Sequence, residues 1–370
     1  MAQSAALRSL RPTLRTIHRW SGLLAAPLFL AQAVSGILWS NQEALTPIFH
    51  AEARRAQPGS APLDDVLHAI AVRAPDARLD RVSFPHNPQL PLTARVVSAN
   101  HAIGILLIDR ATGRVLSSGP LASYPEQIAE RVHGSLMVSQ VGHWIVFGEG
   151  VVLLAMATSG LVLWWPGLLR LRSALVVHVD GPPRRLIREL HLVPGVFSAA
   201  LLLVIGATGA LMAAEPLTTG LIGLIAPVAP DIAPQAPQDP APRGAKTAEQ
   251  ALAILQSRFP SGRLVKVRTL GPESRMILGI VAEARPAHPT AYDMAGLDRA
   301  TGVLTVYADA SRGLPGDDLV GWLAPIHAGE IYGRFRPLIT TSGALAIILM
   351  TSTGLSNWLV RRPPRPRKPS

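Results

Sequence analysis

The sequence predicts a membrane α-helical protein, a four-transmembrane-helix bundle built from two parallel repeats with two small α+β modules on its outer side. Three observations carry this prediction. Four runs are apolar and long enough to cross a bilayer, which takes about 20 residues. Basic residues gather beside these runs on one side. The chain also matches itself at corresponding positions. Composition agrees: of 370 residues 48% are apolar and only 16% charged, although the net charge is +11. A disordered chain has fewer apolar residues, and a nucleic-acid binder with this excess of base has more total charge. No nucleic-acid partner is expected. The chain has no cysteine, which excludes disulfides, Cys-ligated zinc, iron–sulfur clusters, thiol chemistry and covalent c-type haem attachment.

The runs are Trp20 to Trp39, Trp144 to Trp165, Leu192 to Ala214 and Pro337 to Val360, and the only charged residue in them is Glu149. All seven Trp (20, 39, 144, 164, 165, 322 and 358) fall at or just beyond the ends of these runs, as amphipathic rings do at headgroup level. Arg8, Arg11, Arg15 and Arg19 precede the first run, and Arg170, Arg172, Arg184, Arg185 and Arg188 lie between the second and third. Arg361, Arg362, Arg365, Arg367 and Lys368 follow the fourth. The positive-inside rule then puts both termini in the cytoplasm and the two long connections outside. The basic excess is thereby a matter of topology. In a bacterial-type cell that outside is the periplasm. The N-terminal run is too long for an ordinary signal peptide and has no convincing small-x-small site, so it reads as an uncleaved anchor.

The expected organisation follows in order. Residues 1–40 form a basic N-terminus and the first transmembrane helix, and 41–125 the first outer module. Residues 126–167 form the second transmembrane helix, 168–190 a cytoplasmic loop and 191–215 the third helix. A Pro-rich tether and the second module occupy 216–325, the fourth helix 326–360 and a basic tail 361–370. Within the first module, 62–74 reads as a helix and 78–84, 91–99 and 103–109 as strands. The second has a helix at 247–259 and strands at 263–270, 274–283 and 294–306, after a polyproline-like stretch from Ala226 to Pro242.

Self-comparison supplies the repeat. His18, Gly22 and Ser35-Gly36 recur as His191, Gly195 and Thr208-Gly209, at one constant spacing. His133, Ser159-Gly160 and Trp164 recur as His327, Thr353-Gly354 and Trp358 at another. Asp109-Arg-Ala-Thr-Gly113 recurs as Asp298-Arg-Ala-Thr-Gly302. Each copy reads as helix, outer module, helix.

Four histidines therefore hold equivalent places. His18 and His191 stand at the cytoplasmic entrances of the first and third helices, His133 and His327 before the second and fourth on the outer side. Imidazole ligates haem iron axially, and two such ligands need no cysteine. Helix bundles carry such sites between facing helices. One pair on each side of the membrane predicts two haem b groups. The competing reading is that interfacial His are polar anchors and the small residues only pack helices. His133 lies about 15 Å of helix before its apolar run, so a continuous helix holds it at or above the outer interface. His143 is closer and is a reserve ligand, although its repeat counterpart is Pro337. Glu149 is a possible proton or quinol site, or else a paired or protonated carboxyl group. Arg15, Arg19, Arg188, Arg131, Arg334 and Arg336 flank the four His, and guanidinium suits haem propionates. No catalytic residue is assigned. No phosphate loop, dinucleotide fingerprint, Ser-His-Asp order or HExxH motif occurs.

The strings LRTIHRWSGLL, RVHGSLMVSQVGHW, TSGLVLWWPG, RELHLVPG, IHAGEIYGRF and TSTGLSNWLVRR resemble the PepSY-associated transmembrane helix proteins of bacterial inner membranes. The two DRATG segments resemble the end of a PepSY module, so the outer modules are expected to be PepSY-like. Arg336 and Pro337 depart from the usual continuation of the fourth His motif. The resemblance implies a di-haem electron-transfer protein that takes electrons from a cytoplasmic or quinol donor and reduces ferric iron, as a ferric siderophore or other chelate, in the periplasm. Mapped by motif, the haem iron ligands fall on His18, His191, His133 and His327. The alternative from a different class is a haem-free, membrane-anchored PepSY binding or regulatory protein.

Overall fold

The computed structural model describes residues 2–229, 234–285, 288–309 and 313–360. The basic tail 361–370, with its five cationic residues, and Pro230 of the tether lie outside the described residues. In chain order, α1 is Ala2–Ser40, followed by α2 (Leu63–Arg73). Strands β1 (Ala77–Ser83), β2 (Leu92–Ser98), β3 (Ile103–Ile108) and β4 (Val115–Pro120) come next. Then come α3 (Pro125–Ser135), α4 (Ser139–Trp164), α5 (Pro183–Ala213) and α6 (Ala248–Arg258). Strands β5 (Arg263–Leu270), β6 (Met276–Arg285), β7 (His288–Asp298) and β8 (Leu304–Ala308) precede α7 (Leu323–His327) and α8 (Arg336–Leu359). The described residues form two compact units: a helical one from 2–40, 129–218 and 323–360, and a sheet-based one from those of 41–128 and 219–322.

In the helical unit, α1 packs on α4 and α8, and α5 packs on the same two helices, which closes a ring. Four helical segments containing these helices are long and apolar enough to cross a membrane. Ala25, Phe29 and Ala33 of α1, Leu202 of α5, and Ala344 and Ile347 of α8 form the buried centre. Their outward apolar neighbours stay exposed, as in Leu24, Phe197 and Leu345, the distribution expected where lipid is the solvent. Small residues set the closest approach: a Cβ on Gly150 of α4 would stand 2.8 Å from the Ala210 Cβ and 3.0 Å from the Gly206 carbonyl oxygen of α5.

Two predicted helices are corrected. The second, expected over 126–167, is broken into α3 and α4. Leu136, Met137 and Ser139 adopt φ of 48°, 61° and 47°, left-handed values that end a helix. Gly142 then lies against the Ser135 carbonyl so closely that any Cβ would overlap it. The fourth helix, expected over 326–360, is also two pieces. α7 ends at His327, Gly329 is left-handed at φ 68°, and a 3₁₀ segment (Glu330–Phe335) leads to α8. Pro337 falls in the first turn of α8, where its missing N–H costs nothing. The departure noticed in the sequence is thus a helix start. The third helix begins at Pro183, within the expected loop.

The sheet-based unit corrects the expectation of two small separate modules. Its strands form one antiparallel sheet in the order β4-β3-β2-β1-β5-β6-β7-β8. The halves join where Val82 and Ser83 of β1 pair with Val267 and Lys266 of β5. Apolar alternation builds the cores: α2 lays Val66 and Ile70 on Val82, Ala94, Leu106 and Ile108, and α6 lays Ala251 and Leu252 on Val267, Ile277 and Leu297. The sequence reading missed β4, whose short run VLSSGP has no apolar alternation and is mostly half-buried. It also ran a strand through 294–306, where β7 and β8 meet at the second Asp-Arg-Ala-Thr-Gly turn. Both copies of that motif do the same work. Gly113 and Gly302 sit at φ 71° and 73°, and their N–H groups donate to the carbonyls of Asp109 and Asp298 at 2.9 and 2.8 Å. The described part of the Pro-rich stretch 226–242 carries no helix or strand.

The first turns of α2 and α6 exchange carboxylates. Asp64 accepts from Ala248 N (2.8 Å) and Glu249 N (3.0 Å), while Glu249 accepts from Leu63 N (2.6 Å). Each helix thereby caps the other, and each carboxylate faces a positive helix end. Burial alone would raise the Asp64 pKa, but the N–H groups of Glu249 and Ala248 and the Thr247 hydroxyl hold it below the usual carboxylate range. Its stabilisation is therefore full above the unfolded value near pH 4 and is lost as pH falls through the lowered folded value. Asp64→Ala is expected to cost the sheet unit about 1 kcal/mol at neutral pH. The deficit against the native chain should vanish in acid denaturant titrations; a deficit equally large at low pH would contradict the carboxylate exchange.

Candidate functional site

The four predicted histidines lie in the helical unit, and each meets the same kind of partner on a neighbouring helix. His18 of α1 has Nδ1 2.7 Å from the Ser159 hydroxyl of α4. His191 of α5 has Nδ1 3.0 Å from the Thr353 hydroxyl of α8. His327 of α7 has Nδ1 3.1 Å from the Thr208 hydroxyl of α5. His133 of α3 has Nδ1 3.1 Å from the Gln32 carbonyl and 3.4 Å from the Ser35 hydroxyl, both of α1. The glycine after each hydroxyl residue leaves room for the ring. A Cβ on Gly209 would stand 2.9 Å from His327 Cε1, one on Gly36 3.0 Å from His133 Cε1, one on Gly354 3.3 Å from His191 Cε1, and one on Gly160 3.5 Å from His18 Cε1.

The hydrogen-bond network assigns the ring protons. The hydroxyls of Ser35, Thr208 and Thr353 donate to the carbonyls of Ala31, Val204 and Leu349 at 2.6, 2.7 and 2.6 Å, and Ser159 donates to Met156 at 3.2 Å. This back-bonding is the habit of hydroxyl residues inside helices. With their protons spent, the oxygens of Ser35, Thr208 and Thr353 can only accept, as can the Gln32 carbonyl, so His133, His191 and His327 donate Nδ1–H. Nε2 is left deprotonated with its lone pair free, the tautomer that a metal requires.

Two of the rings also come together. His133 and His327 have centroids 6.0 Å apart and planes inclined at 51°, and Trp39 packs 5.6 Å from the His133 ring. His18 and His191 are within electrostatic reach of one another. The helix break between α3 and α4 follows directly on His133, whose ring sits against α1. His143 is corrected as the reserve ligand. It is exposed on α4, and among the described residues no hydrogen bond or ring contact joins it to either pair. Glu149 is buried at 7% exposure, with Gln32 of α1 beside it. Gly22 and Gly195 do not lie open: Met156 Cε and Met350 Sδ stand over them. Among the described residues no three His, Asp or Glu gather into a metal cage.

In the sequence the Ser/Thr-Gly pairs stand only as repeat-matched positions. Their hydroxyls also fix the ring tautomer, and the matched recurrence of hydroxyl plus glycine was the signal. Nothing in the sequence announced the Gln32 carbonyl. Thr353→Val or Thr208→Val is expected to weaken ligand binding at the corresponding pair by roughly 10–100-fold, the usual effect of losing a group that orients a ligating His. Titration of the apo-protein with the ligand checks this, and unchanged affinity in both variants would show that the hydroxyls do not orient the rings.

One protein family, described as a PepSY-associated TM region, matches residues 15–361, a stretch that includes all four histidines. No curated protein matches the chain.

Proposed function

The chain belongs to the family of PepSY-associated TM regions, and from that premise we propose that it is an inner-membrane di-haem b electron-transfer protein that reduces ferric iron, as a siderophore or other chelate, on the periplasmic side. The observation that carries the reading is the fourfold imidazole arrangement: each Nδ1 hydrogen-bonded to a neighbouring helix, and the His133 and His327 rings facing one another. The two copies of this arrangement support the duplicated plan of helix, outer module, helix.

The residues present fit the group. Two metal–imidazole bonds of about 2 Å, with the distance from each nitrogen to its ring centre, span roughly 6 Å, and the His133–His327 centroids are 6.0 Å apart. His18 and His191 would hold one haem, His133 and His327 the other. Arg19, Arg131 and Arg336 each have a buried Nε without a hydrogen-bond acceptor. Arg19 adjoins His18 and Arg131 precedes His133 by two residues, so guanidinium donors for propionates stand ready at both sites. When bound, haem b supplies a one-electron Fe(III)/Fe(II) couple.

The chain's own residues do the rest. Ser159, Thr353, Ser35 with the Gln32 carbonyl, and Thr208 hold the four rings in place. The apolar centre around Phe29, Leu202 and Ile347 excludes water and keeps the dielectric low, which tunes potential. The substrate chemistry explains the purpose: hard oxygen donors hold Fe(III) strongly and Fe(II) weakly, so one electron frees the metal without breaking the chelator. The electron comes from a quinol or a cytoplasmic reductant. Both termini are cytoplasmic in this reading, and the sheet unit is periplasmic.

The test is the absorption spectrum of the full chain purified from haem-replete cells. A Soret band, with sharp α and β bands after dithionite, and oxidation of those bands by a ferric chelate are the expected results. A colourless preparation would leave the haem-free anchored binding protein as the reading.

A further inference from the structure

Glu149 is the one acidic residue in the apolar runs, and the electron-transfer reading does not use it. Its side chain is buried, and its Oε2 makes no hydrogen bond. The helices packed on α4 are α1 and α5. Their apolar stretches, residues 20–39 and 192–214, contain no Asp, Glu, Lys, Arg or His, so no cation or second acid from them faces the carboxyl group. On α5, the groups opposite the adjacent Gly150 are Gly206 and Ala210. On α1 the facing polar group is Gln32, whose buried side-chain amide lies beside the carboxyl group. The titratable group reached through Gln32 is His133, because the Gln32 backbone carbonyl accepts the His133 Nδ1–H at 3.1 Å.

A carboxyl group of this kind responds to the charge of its surroundings. A buried carboxylate without a partner is costly, and a positive charge nearby reduces the cost. Inside a low-dielectric helical unit such coupling is little screened. An oxidised bis-imidazole iron site in a porphyrin dianion carries one net positive charge, and the reduced site carries none. The ionised form of Glu149 is therefore favoured more strongly when the outer pair is oxidised than when it is reduced.

We propose that Glu149 is a proton-binding site linked to electron transfer at the His133–His327 pair, taking up one proton when that site gains one electron and releasing it when the electron leaves. The proposal rests on the di-haem reading above. The balance is simple: one electron arrives from the quinol or cytoplasmic reductant, one proton arrives from the aqueous phase, and an O–H bond forms on the Glu149 carboxylate. No bond to iron changes. When a ferric chelate takes the electron, that O–H bond breaks and the proton returns to water. Gln32 is the positioning residue, touching the carboxyl group with its side chain and the ligating imidazole with its backbone.

Mediated redox titration of the full-length holoprotein at several pH values tests the proposal. Two potentials are expected. The one that disappears in His327→Ala should fall as pH rises, and Glu149→Gln should remove that dependence while Glu149→Asp retains it. A reduced-minus-oxidised infrared difference spectrum of the unaltered protein should show a protonated-carboxyl C=O band appearing on reduction, whether or not the Gln variant folds. Potentials independent of pH, a dependence that survives in Glu149→Gln, or no carboxyl band would overturn the proton site and leave the haem reading standing. A preparation without haem would overturn both.

Discussion

His327→Ala is expected to halve the haem content and to abolish reduction of external ferric chelates. The ring of His327 is fixed by the Thr208 hydroxyl, lies over Gly209 and stands 6.0 Å from His133. In the proposed reading, removing it leaves His133 as the single imidazole for the haem this pair would hold. The inner pair rests on other elements, with His18 held by Ser159 and His191 by Thr353, so its haem should remain with an unchanged spectrum. His18→Ala should show the mirror result, loss of the inner haem and survival of the outer. His143→Ala should change neither, because that residue is exposed and outside both pairs. Haem per polypeptide, measured after extraction, reads all three variants. Full haem content in His327→Ala would rule out this histidine as a ligand.

Gly142→Ala is expected to lose the outer haem as completely as His133→Ala does, although residue 142 touches neither ring. The fold-back between α3 and α4 brings His133 to the Gln32 carbonyl and the Ser35 hydroxyl. Gly142 packs directly on the Ser135 carbonyl oxygen at that corner, where backbone rather than a flexible side chain would meet the new methyl group. The corner also holds three non-glycine residues at positive φ, each of which costs of order 1 kcal/mol or more. Little room is left for adjustment. Gly134→Ala and Gly148→Ala are controls, since a Cβ at either position meets nothing within 4 Å. Both should keep two haems. Loss of haem in the controls and not in Gly142→Ala would show that the corner does not set the outer site.

The comparison between sequence and structure turns on what kind of information each feature needs. Four membrane-crossing stretches were legible because bilayer thickness demands long runs without charge, and that demand is met one residue at a time along the chain. The four histidines were legible because they recur at matched places with a hydroxyl residue and a glycine. Helix α6 and strands β1, β3 and β5 were read to within a residue or two, since their apolar alternation is local. Less visible was β4, whose short, mostly half-buried strand has no such alternation. The helix breaks after Ser135 and after His327 were invisible for a related reason. Local propensity around Leu136 and Met137 favours a continuing helix, whereas in the structure local hydrogen bonds from Met137 N to the Arg131 carbonyl and from Val138 N to the Ser135 carbonyl close a turn instead.

The sequence by itself determined the membrane class, the matched histidines with their hydroxyl-glycine partners, and the two Asp-Arg-Ala-Thr-Gly turns, because each depends on residue type and spacing alone. Tertiary structure decided which imidazoles face which, which ring nitrogen is free, and that the strands of both copies join into one sheet through β1 and β5. Those outcomes depend on where distant segments meet. A hydroxyl on one helix can orient a ring on another only after both helices have packed, and no pattern along a single strand reveals which edge will accept a partner.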